Sequence, residues 1–229
     1  MRRLILMDWS SIISMTFITI GMTFISTFLA YLVGLPIGVL LNITSKNGLR
    51  PNRWVNLVVG LIVNILRSIP CLILVLLCMP VTRAIFGIAT GEWQTIIIPL
   101  SVAAFGFVAR MVEQSLAEVP AGELEAVKSL GASNWQLVYK VLLPEARSSL
   151  VSGLAVSLVS ILGYTSFAYN IGAGGLISGI WDYYAGNTGS YLTSIYFWVL
   201  IIVVIAIVQL IQELGLYISK KIDRRRVLK

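Results

Sequence analysis

The side chains that could carry out chemistry in this chain are few, and their types exclude most catalytic roles. The sequence contains no histidine and two cysteines, Cys71 and Cys78, which lie seven residues apart in one apolar segment. This arrangement argues against a zinc site or a disulfide framework and favours packing thiols. No Asp or Glu lies in the middle of an apolar segment, so the proton relays of secondary carriers and the acid and base groups of an intramembrane enzyme are missing. We expect no metal, no cofactor and no catalytic residue.

Arg67 is the one charged residue well inside an apolar segment. A charge in such a position is costly, which marks it as a functional candidate. Because Arg67 stands three residues before Pro70, it could snorkel to the interface, cap a broken helix or line a gate. The first two roles are structural, and the third makes Arg67 a candidate gate residue.

A later apolar segment carries small residues at four-residue spacing, namely Ser149, Gly153 and Ser157. Small residues spaced in this way let helices approach closely in lipid. The pattern therefore favours helix packing, within the chain or across a dimer axis, over the lining of a pore. Ser157, Ser160 and Tyr164 are the candidates for a translocation path.

A glycine-rich stretch, IGAGGLISG, covers residues 171–179. It lacks the Gly-Lys-Ser/Thr ending of a Walker-type phosphate loop. It could be a flexible turn, or an element that exposes backbone at an outer gate to a partner that delivers substrate.

The composition indicates an integral membrane protein with one membrane domain over residues 1–229. Of the 229 residues 58% are hydrophobic and 12% are charged, with a mean hydropathy of +0.90, whereas a soluble domain carries roughly 25% charged residues. The net charge of +7 could suggest nucleic acid. However, the basic residues lie at the ends of apolar segments, as in membrane proteins, so we expect no nucleic acid partner.

Five segments are long enough to cross a bilayer as helices, which takes about 20 residues each. They are Ile12–Leu41, Val55–Met79, Gln94–Val112, Leu150–Tyr169 and Tyr191–Leu214. The first is too long for a signal peptide, and we expect it to be retained. Glycine and proline interrupt several spans, at Gly34, Pro36, Pro70 and Pro99. Such residues are typical of packed, irregular helices around a cavity rather than of a simple anchor.

The distribution of Lys and Arg predicts an N-terminus outside and a C-terminus in the cytoplasm. With this orientation, 13 of the 17 basic residues face the cytoplasm, in agreement with the positive-inside rule. Three face outward, namely Arg2, Arg3 and Arg83, and Arg67 lies within a span. Arg2 and Arg3 oppose the pattern but are outnumbered.

The orientation leaves a polar, helix-patterned segment in the cytoplasm, at about residues 113–146, which we call the island. In its first half Leu124, Val127 and Leu130 recur every three residues and predict a short helix with one apolar stripe. Gly131 then stands where a glycine often ends a helix. From these patterns alone, a hairpin lying on the bilayer is as good an interpretation as a knob for another protein.

The second half of the island predicts another capped helix. Ser133 and Gln136 have the spacing of a capping box, and Pro144 should limit the helix. Between them an apolar face is formed by Trp135, Val138, Tyr139 and Leu142.

The island sequence EAVKSLGASNWQLVYKVLLP, residues 125–144, resembles the EAA motif of ABC importer permeases. That motif reads Glu-Ala-Ala, three residues, Gly, nine residues, then Ile-x-Leu-Pro. The matching residues are Glu125, Ala126, Gly131, Leu143 and Pro144. Val127 replaces the second alanine and Val141 the isoleucine, and both changes are conservative.

Other stretches resemble the permeases of methionine importers, which have five spans and an outer N-terminus. They are NILRSIPCLILVLL, FVARMVEQSLAEVPAGELEA, KVLLPEA and LGYTSFAYNIGAGGLISGI. The resemblance runs from about Thr19 to Gln209 and is strongest over residues 110–175. It implies an all-α, type I importer permease fold.

The resemblance also implies partners and a coupling site. The island would dock in a groove of a cytoplasmic ATPase subunit, two of which would serve a permease homodimer in the bacterial inner membrane. The coupling residues would be Glu125, Ala126, Lys128, Leu130, Gly131 and Ala132, with Gly131 letting the chain turn. A substrate-binding protein, extracellular or periplasmic, would deliver methionine or a related amino acid.

Three alternatives remain open at this point. The cargo could be another amino acid or a small peptide. The chain could work alone as a channel or secondary carrier, although the lack of intramembrane acids weakens this interpretation. It could also be a membrane scaffold that transports nothing.

Overall fold

The computed structural model describes residues 9–223, and within this range the chain forms helices and turns with no β-strand. The helices are α1 (Trp9–Thr44), α2 (Arg53–Ser68), α3 (Cys71–Phe86), α4 (Ile97–Ala117), α5 (Ala121–Ser129), α6 (Asn134–Leu137), α7 (Leu143–Glu145), α8 (Arg147–Tyr164), α9 (Leu176–Gly186) and α10 (Ile195–Ile222). The all-α prediction is confirmed. Arg2, Arg3 and the last four basic residues used for the orientation lie outside the described range.

Four stretches of the described chain are long and apolar enough to cross a membrane. They are Trp9–Thr44, Trp93–Ala117, Arg147–Ile171 and Ile195–Ile222, and a fifth span results if α2 and α3 count as one broken span. Trp93–Ala117 consists of a 3-10 turn, Trp93–Ile96, followed by α4, and Arg147–Ile171 consists of α8 followed by a 3-10 turn, Thr165–Ile171. These stretches agree with the five predicted spans.

The second predicted span, Val55–Met79, is not one continuous helix. Pro70 precedes the first residue of α3, and the backbone of Ile69 is extended, with φ −78° and ψ 124°. The cause is steric, since a proline ring disfavours the helical conformation in the residue before it. Pro36, by contrast, lies inside a continuous α1. Pro99 lies in the first turn of α4, where no intrahelical N–H bond is lost.

The glycine-rich stretch divides into a turn and a helix. Gly172, Gly174 and Gly175 have φ values of +66°, +78° and +93°, a conformation that glycine adopts without steric cost. The helix α9 begins at the next residue, Leu176. The turn interpretation therefore holds for the first half of the stretch, whereas the helix Leu176–Gly186 was not predicted.

The chain divides into two compact units. Unit 1 consists of residues 1–27, 70–102 and 158–211, and unit 2 consists of residues 28–69, 103–157 and 212–229. The helices α1, α4, α8 and α10 each run through residues of both units. The prediction of a single membrane domain remains a prediction.

Unit 1 is built around two apolar clusters. One contains Met22, Val75, Ile96, Leu100, Ala168, Ile171 and Ala173, and the other contains Ile12, Leu176 and Leu200. The hydroxyl oxygen of Thr19 accepts a hydrogen bond of 2.8 Å from the backbone N–H of Leu176. This bond satisfies one of the free N–H groups at the start of α9 and ties α9 to α1.

Unit 2 depends on close approach of α4 to α1. A Cβ atom at Gly38 would lie 2.5 Å from the carbonyl oxygen of Ala109 and 2.6 Å from Cβ of Val112. At Gly34 it would lie 2.7 Å from a methyl carbon of Val108. The two glycines therefore allow a backbone contact that a side chain would prevent, as is common in membrane helices.

The small residues of α8 also pack within unit 2. Ser149 donates a hydrogen bond of 3.1 Å to the hydroxyl of Ser115, and a Cβ atom at Gly153 would lie 2.8 Å from Cγ of Met111. Ser157 is fully buried, and its hydroxyl lies 3.3 Å from that of Tyr31. The predicted packing role of this pattern is confirmed for contacts inside the chain.

Replacing Gly38 with Ala should destabilise unit 2, because the new methyl group meets backbone and a packed side chain. We expect a loss of about 1–3 kcal/mol in unfolding free energy, the usual cost of overpacking. Gly163→Ala is the matched control, because nothing lies within 4 Å of a Cβ atom there. The control should leave stability unchanged or raise it by up to about 1 kcal/mol through helix propensity. Thermal unfolding of the purified chain in detergent measures both, and equal effects would contradict the packing argument.

Candidate functional site

The first half of the island forms the helix α5, which begins after Pro120. Lys128 lies in its last turn, where the helix dipole favours a cation. The predicted stripe is only partly confirmed, because Leu124 and Val127 are half-buried while Leu130 is 86% exposed. No residue of α5 is buried, so this helix contributes little to the core of its own chain.

Gly131 ends the first helix as predicted. Its φ is +86°, and its backbone N–H donates a 3.0 Å hydrogen bond to the carbonyl of Lys128. A Cβ atom at this position would meet nothing within 4 Å. Glycine is therefore required by the backbone conformation and not by lack of space.

The capping box predicted for the second half is present. The backbone N–H of Gln136 donates to the hydroxyl of Ser133 at 3.3 Å, and the backbone N–H of Ser133 donates to the Gln136 side chain at 2.9 Å. These two bonds satisfy groups that the helix start leaves free. The turn between α5 and α6, residues 130–133, is therefore held by hydrogen bonds within the island itself, and we call it the elbow.

The predicted apolar face of the second helix is only half buried. Leu142 and Val138 are buried, but Trp135 and Tyr139 are 76% and 66% exposed. Their rings stack on each other with centroids 6.5 Å apart and planes 8° apart. Half of the predicted apolar face therefore points away from the chain.

A π-turn over Val138–Leu142 interrupts the regular α-helical spacing of this face. The backbone N–H of Leu143 bonds to the carbonyl of Val138, five residues earlier, so one residue more than in an α-helix fits into the turn. Pro144 follows at once, has no N–H, and its ring would clash with the carbonyl four residues before it. Pro144 was expected to limit the helix, but it lies within α7, and the wider turn accommodates it.

The six predicted coupling residues lie together around the elbow. Five of them are exposed and Ala132 is half-buried; the exposed ones are Glu125, Ala126, Lys128, Leu130 and Gly131. Trp135 and Tyr139 join this surface, although they were not among the predicted coupling residues. The proline at position 144 was the signal for a distorted turn.

The half-buried side of α5 does not pack tightly. Leu124 lines a cavity of about 590 Å³ in unit 2, together with the end of α4 and the turn after α1. Lys46 and Glu118 also line it. The island therefore rests on its own chain loosely at this point, while its elbow and aromatic pair remain uncovered.

The candidate pathway residues are divided between the two units. Arg67 is exposed in the last turn of α2, where a cation is favoured by the helix dipole; this supports the capping role. Ser157 belongs to unit 2, whereas Ser160 and Tyr164 are half-buried in unit 1. Their role in a pathway remains a prediction. Among residues 9–223 no group of three or more His, Cys, Asp or Glu side chains could hold a metal.

The membrane-length helices define an integral membrane protein, from which the island presents an exposed elbow. Residues 34–224 match the family described as the binding-protein-dependent transport system inner membrane component. This match covers most of the chain, and the chain belongs to that family.

Similar proteins include the probable D-methionine transport system permease proteins MetI of Haemophilus influenzae and Pasteurella multocida. The first is 40% identical over 95% of this chain and 100% of its own length, and the second is 39% identical over 95% and 98%. A solved structure of the MetNI methionine ABC transporter in an inward-facing conformation superposes with a TM-score of 0.87. It is 38% identical and covers 93% of this chain and 97% of its own.

Gly131→Ala should weaken the elbow, because an L-residue in the left-handed region costs about 1–2 kcal/mol. The matched control is Gly122→Ala, at a position in α5 where nothing lies within 4 Å and φ is not positive. Amide hydrogen exchange of α5 and α6 measures the effect on local opening. We expect protection to fall by about 5- to 30-fold in the first variant and not to fall in the second.

Proposed function

We propose that this chain is the permease subunit of an ATP-driven ABC importer and forms the pathway for methionine or a related amino acid. The chain's family and the permeases similar to it support this function. The observation that carries the coupling mechanism is the uncovered elbow, where Gly131 turns the chain and Leu130, Trp135 and Tyr139 stay exposed. Large apolar side chains of this kind are the usual anchors of protein interfaces.

In this proposal the island binds a cytoplasmic ATPase subunit. Glu125, Ala126 and Gly131 lie at the contact, with Lys128, Leu130 and Ala132 beside them. Only residues 118–120 separate α4 from α5, so a displacement of the island acts on a membrane helix with little slack between them. ATP hydrolysis takes place in the separate subunit, and this chain is not an enzyme.

The transporter contains two copies of this chain and two ATPase subunits, and the two copies enclose the pathway. ATPase closure would switch the spans between inward- and outward-facing states as rigid bodies. A substrate-binding protein outside the membrane delivers the amino acid. Arg67, Ser157, Ser160 and Tyr164 are proposed for the gate and pathway.

Reversing the charge at Glu125 should weaken ATPase binding, because the carboxylate lies on the proposed contact. We expect Glu125→Lys to lower the affinity for the ATPase subunit about tenfold or more, while the protein still inserts. Gly131→Pro should have the same effect, since proline cannot adopt the φ of +86° found there. ATPase copurification from detergent extracts measures both.

Asp182→Lys is the control for the charge reversal, because Asp182 is exposed but lies in α9, outside the island. It should retain ATPase binding. Normal ATPase binding and normal transport by Glu125→Lys and Gly131→Pro, at normal expression, would show that the island has no coupling role.

The aromatic pair should contribute most of the binding energy. Trp135→Ala should cost about 2 kcal/mol or more, the range of interface hot spots, which is roughly 30-fold in affinity. Trp54→Ala is the control, because Trp54 is 77% exposed and lies in α2. Equal affinities of the two variants, together with quenching of Trp135 fluorescence by brominated lipid, would assign the pair to the bilayer surface.

Reconstitution separates the proposed function from a carrier that works alone. Vesicles with this chain, its ATPase and its binding protein should accumulate labelled methionine only when ATP is supplied. Vesicles with this chain alone should accumulate none. Uptake by the chain alone would identify a channel or secondary carrier, and a peptide or another amino acid copurified with the binding protein would replace methionine as the cargo.

A further inference from the structure

Arg110, in the cytoplasmic half of α4, joins that helix to α2 within unit 2. One guanidinium nitrogen donates to the backbone carbonyl of Gly60 at 3.1 Å and to the side-chain oxygen of Asn64 at 2.9 Å. The other forms an ion pair of 2.6 Å with Glu113, one turn further along α4. Both partners of this pair are about one-fifth exposed, at 23% and 21%. We call these contacts the Arg110 clamp.

The two helices are in close contact around the clamp. Gly60 is buried, and a Cβ atom there would lie 3.2 Å from the Arg110 guanidinium. A Cβ atom at Gly106, one turn before Arg110, would lie 3.2 Å from the carbonyl oxygen of Val63. The contact is thus tight on both sides of the guanidinium: a side chain at Gly60 would press on the guanidinium itself, and one at Gly106 would press on the backbone of α2.

Apolar packing contributes less to helix association in lipid than in water, since lipid chains are as apolar as the side chains. The buried apolar cluster at this contact is small: it contains Val63 of α2 and Ala109 of α4 with Leu41 of α1, and Ile37 and Val59 lie beside it. Charge-assisted hydrogen bonds are stronger and more directional than neutral ones. The clamp therefore fixes the register of α2 against α4 where apolar contacts alone would allow sliding.

The clamp lies between the end of α4 that leads into the island and the end of α2 at the broken span. Arg110 lies about two turns before the end of α4, which leads into the island, and Asn64 lies about one turn before Ser68, where α2 ends at the broken span. We propose that Arg110 is a positioning residue that makes α2 move with α4, so that displacement of the island reaches the end of α2. This inference rests on the proposed coupling of the island to an ATPase.

The guanidinium is suited to this role because it is a rigid fork that reaches acceptors on two helices at once. A lysine ammonium is a point charge on a flexible stem and cannot hold both helices in one geometry. Arg110→Lys should therefore retain the charge but lose most of the coupling. Arg110→Gln should lose both.

The test uses the complete transporter in proteoliposomes and measures ATP hydrolysed per molecule of methionine imported. We expect Arg110→Gln and Arg110→Lys to raise this ratio by about fivefold or more, the lower end of ordinary allosteric coupling, while ATPase binding stays normal. Arg53→Gln is the matched control, because Arg53 is exposed at the start of α2 and outside the clamp. Its ratio should equal that of the unmodified protein.

A second measurement follows the motion directly. With Cys71 and Cys78 replaced by serine, single cysteines at Ser129 in the island and Ser68 in α2 are labelled with and without a non-hydrolysable ATP analogue. In the unmodified background both labelling rates should respond to nucleotide. With Arg110→Gln, Ser129→Cys should still respond and Ser68→Cys should not.

The outcomes distinguish the clamp from a purely structural role and from a failure of the proposed function. If Arg110→Gln folds poorly, Asn64→Ala removes one acceptor on α2 while leaving the pair with Glu113 and is tested in its place. Clamp variants with an unchanged ATP ratio and unchanged labelling at Ser68→Cys would overturn the inference. If the unmodified protein does not bind the ATPase, the proposed function itself is wrong, and the clamp then has no displacement to transmit.

Discussion

The constraint on which this structure depends is the close backbone contact of α4 with its neighbours in unit 2. At Gly38, Gly34 and Gly60 the missing side chains leave room for carbonyl groups, packed side chains or the Arg110 guanidinium. In lipid, van der Waals contact and polar bonds must supply what the hydrophobic effect supplies in water. The glycines bring the helices close enough for dispersion attraction to contribute to their association. The guanidinium of Arg110 adds directional hydrogen bonds to α2.

The island follows directly from α4, the helix that this contact holds in place. The elbow is stabilised by bonds of its own, from Gly131 and the capping box, and hardly by burial. It can therefore keep its shape while exposing large apolar side chains to the cytoplasm. In the proposed mechanism this projection passes its displacement to α4, whereas a flexible loop would absorb it. The family to which the chain belongs and the proposed permease function are consistent with such a part.

Much of the fold and part of the site followed from sequence patterns. The spans depend on stretches of about 20 apolar residues, whereas the break at Pro70, the glycine elbow and the capping box each depend on residues within one or two helical turns. The structure agrees with these predictions. The exposure of Trp135 and Tyr139 did not follow from the sequence, because an apolar pattern does not show which part of a face is buried. A π-turn of five residues before Pro144 also changes the spacing of Val138 and Leu142 from that of a regular α-helix.

The primary sequence was thus sufficient for membrane insertion, orientation and local caps, because hydropathy, basic residues and short-range hydrogen bonds act without knowledge of distant neighbours. It was not sufficient for the Arg110 clamp, whose acceptors lie 50 and 46 residues earlier in the chain. The same holds for the exposure of the aromatic pair and for the division of Ser157 from Ser160 and Tyr164 between the two units. These features arise only when helices far apart in sequence come into contact, since the same polar or aromatic residue can be buried, paired or exposed according to the surface it meets.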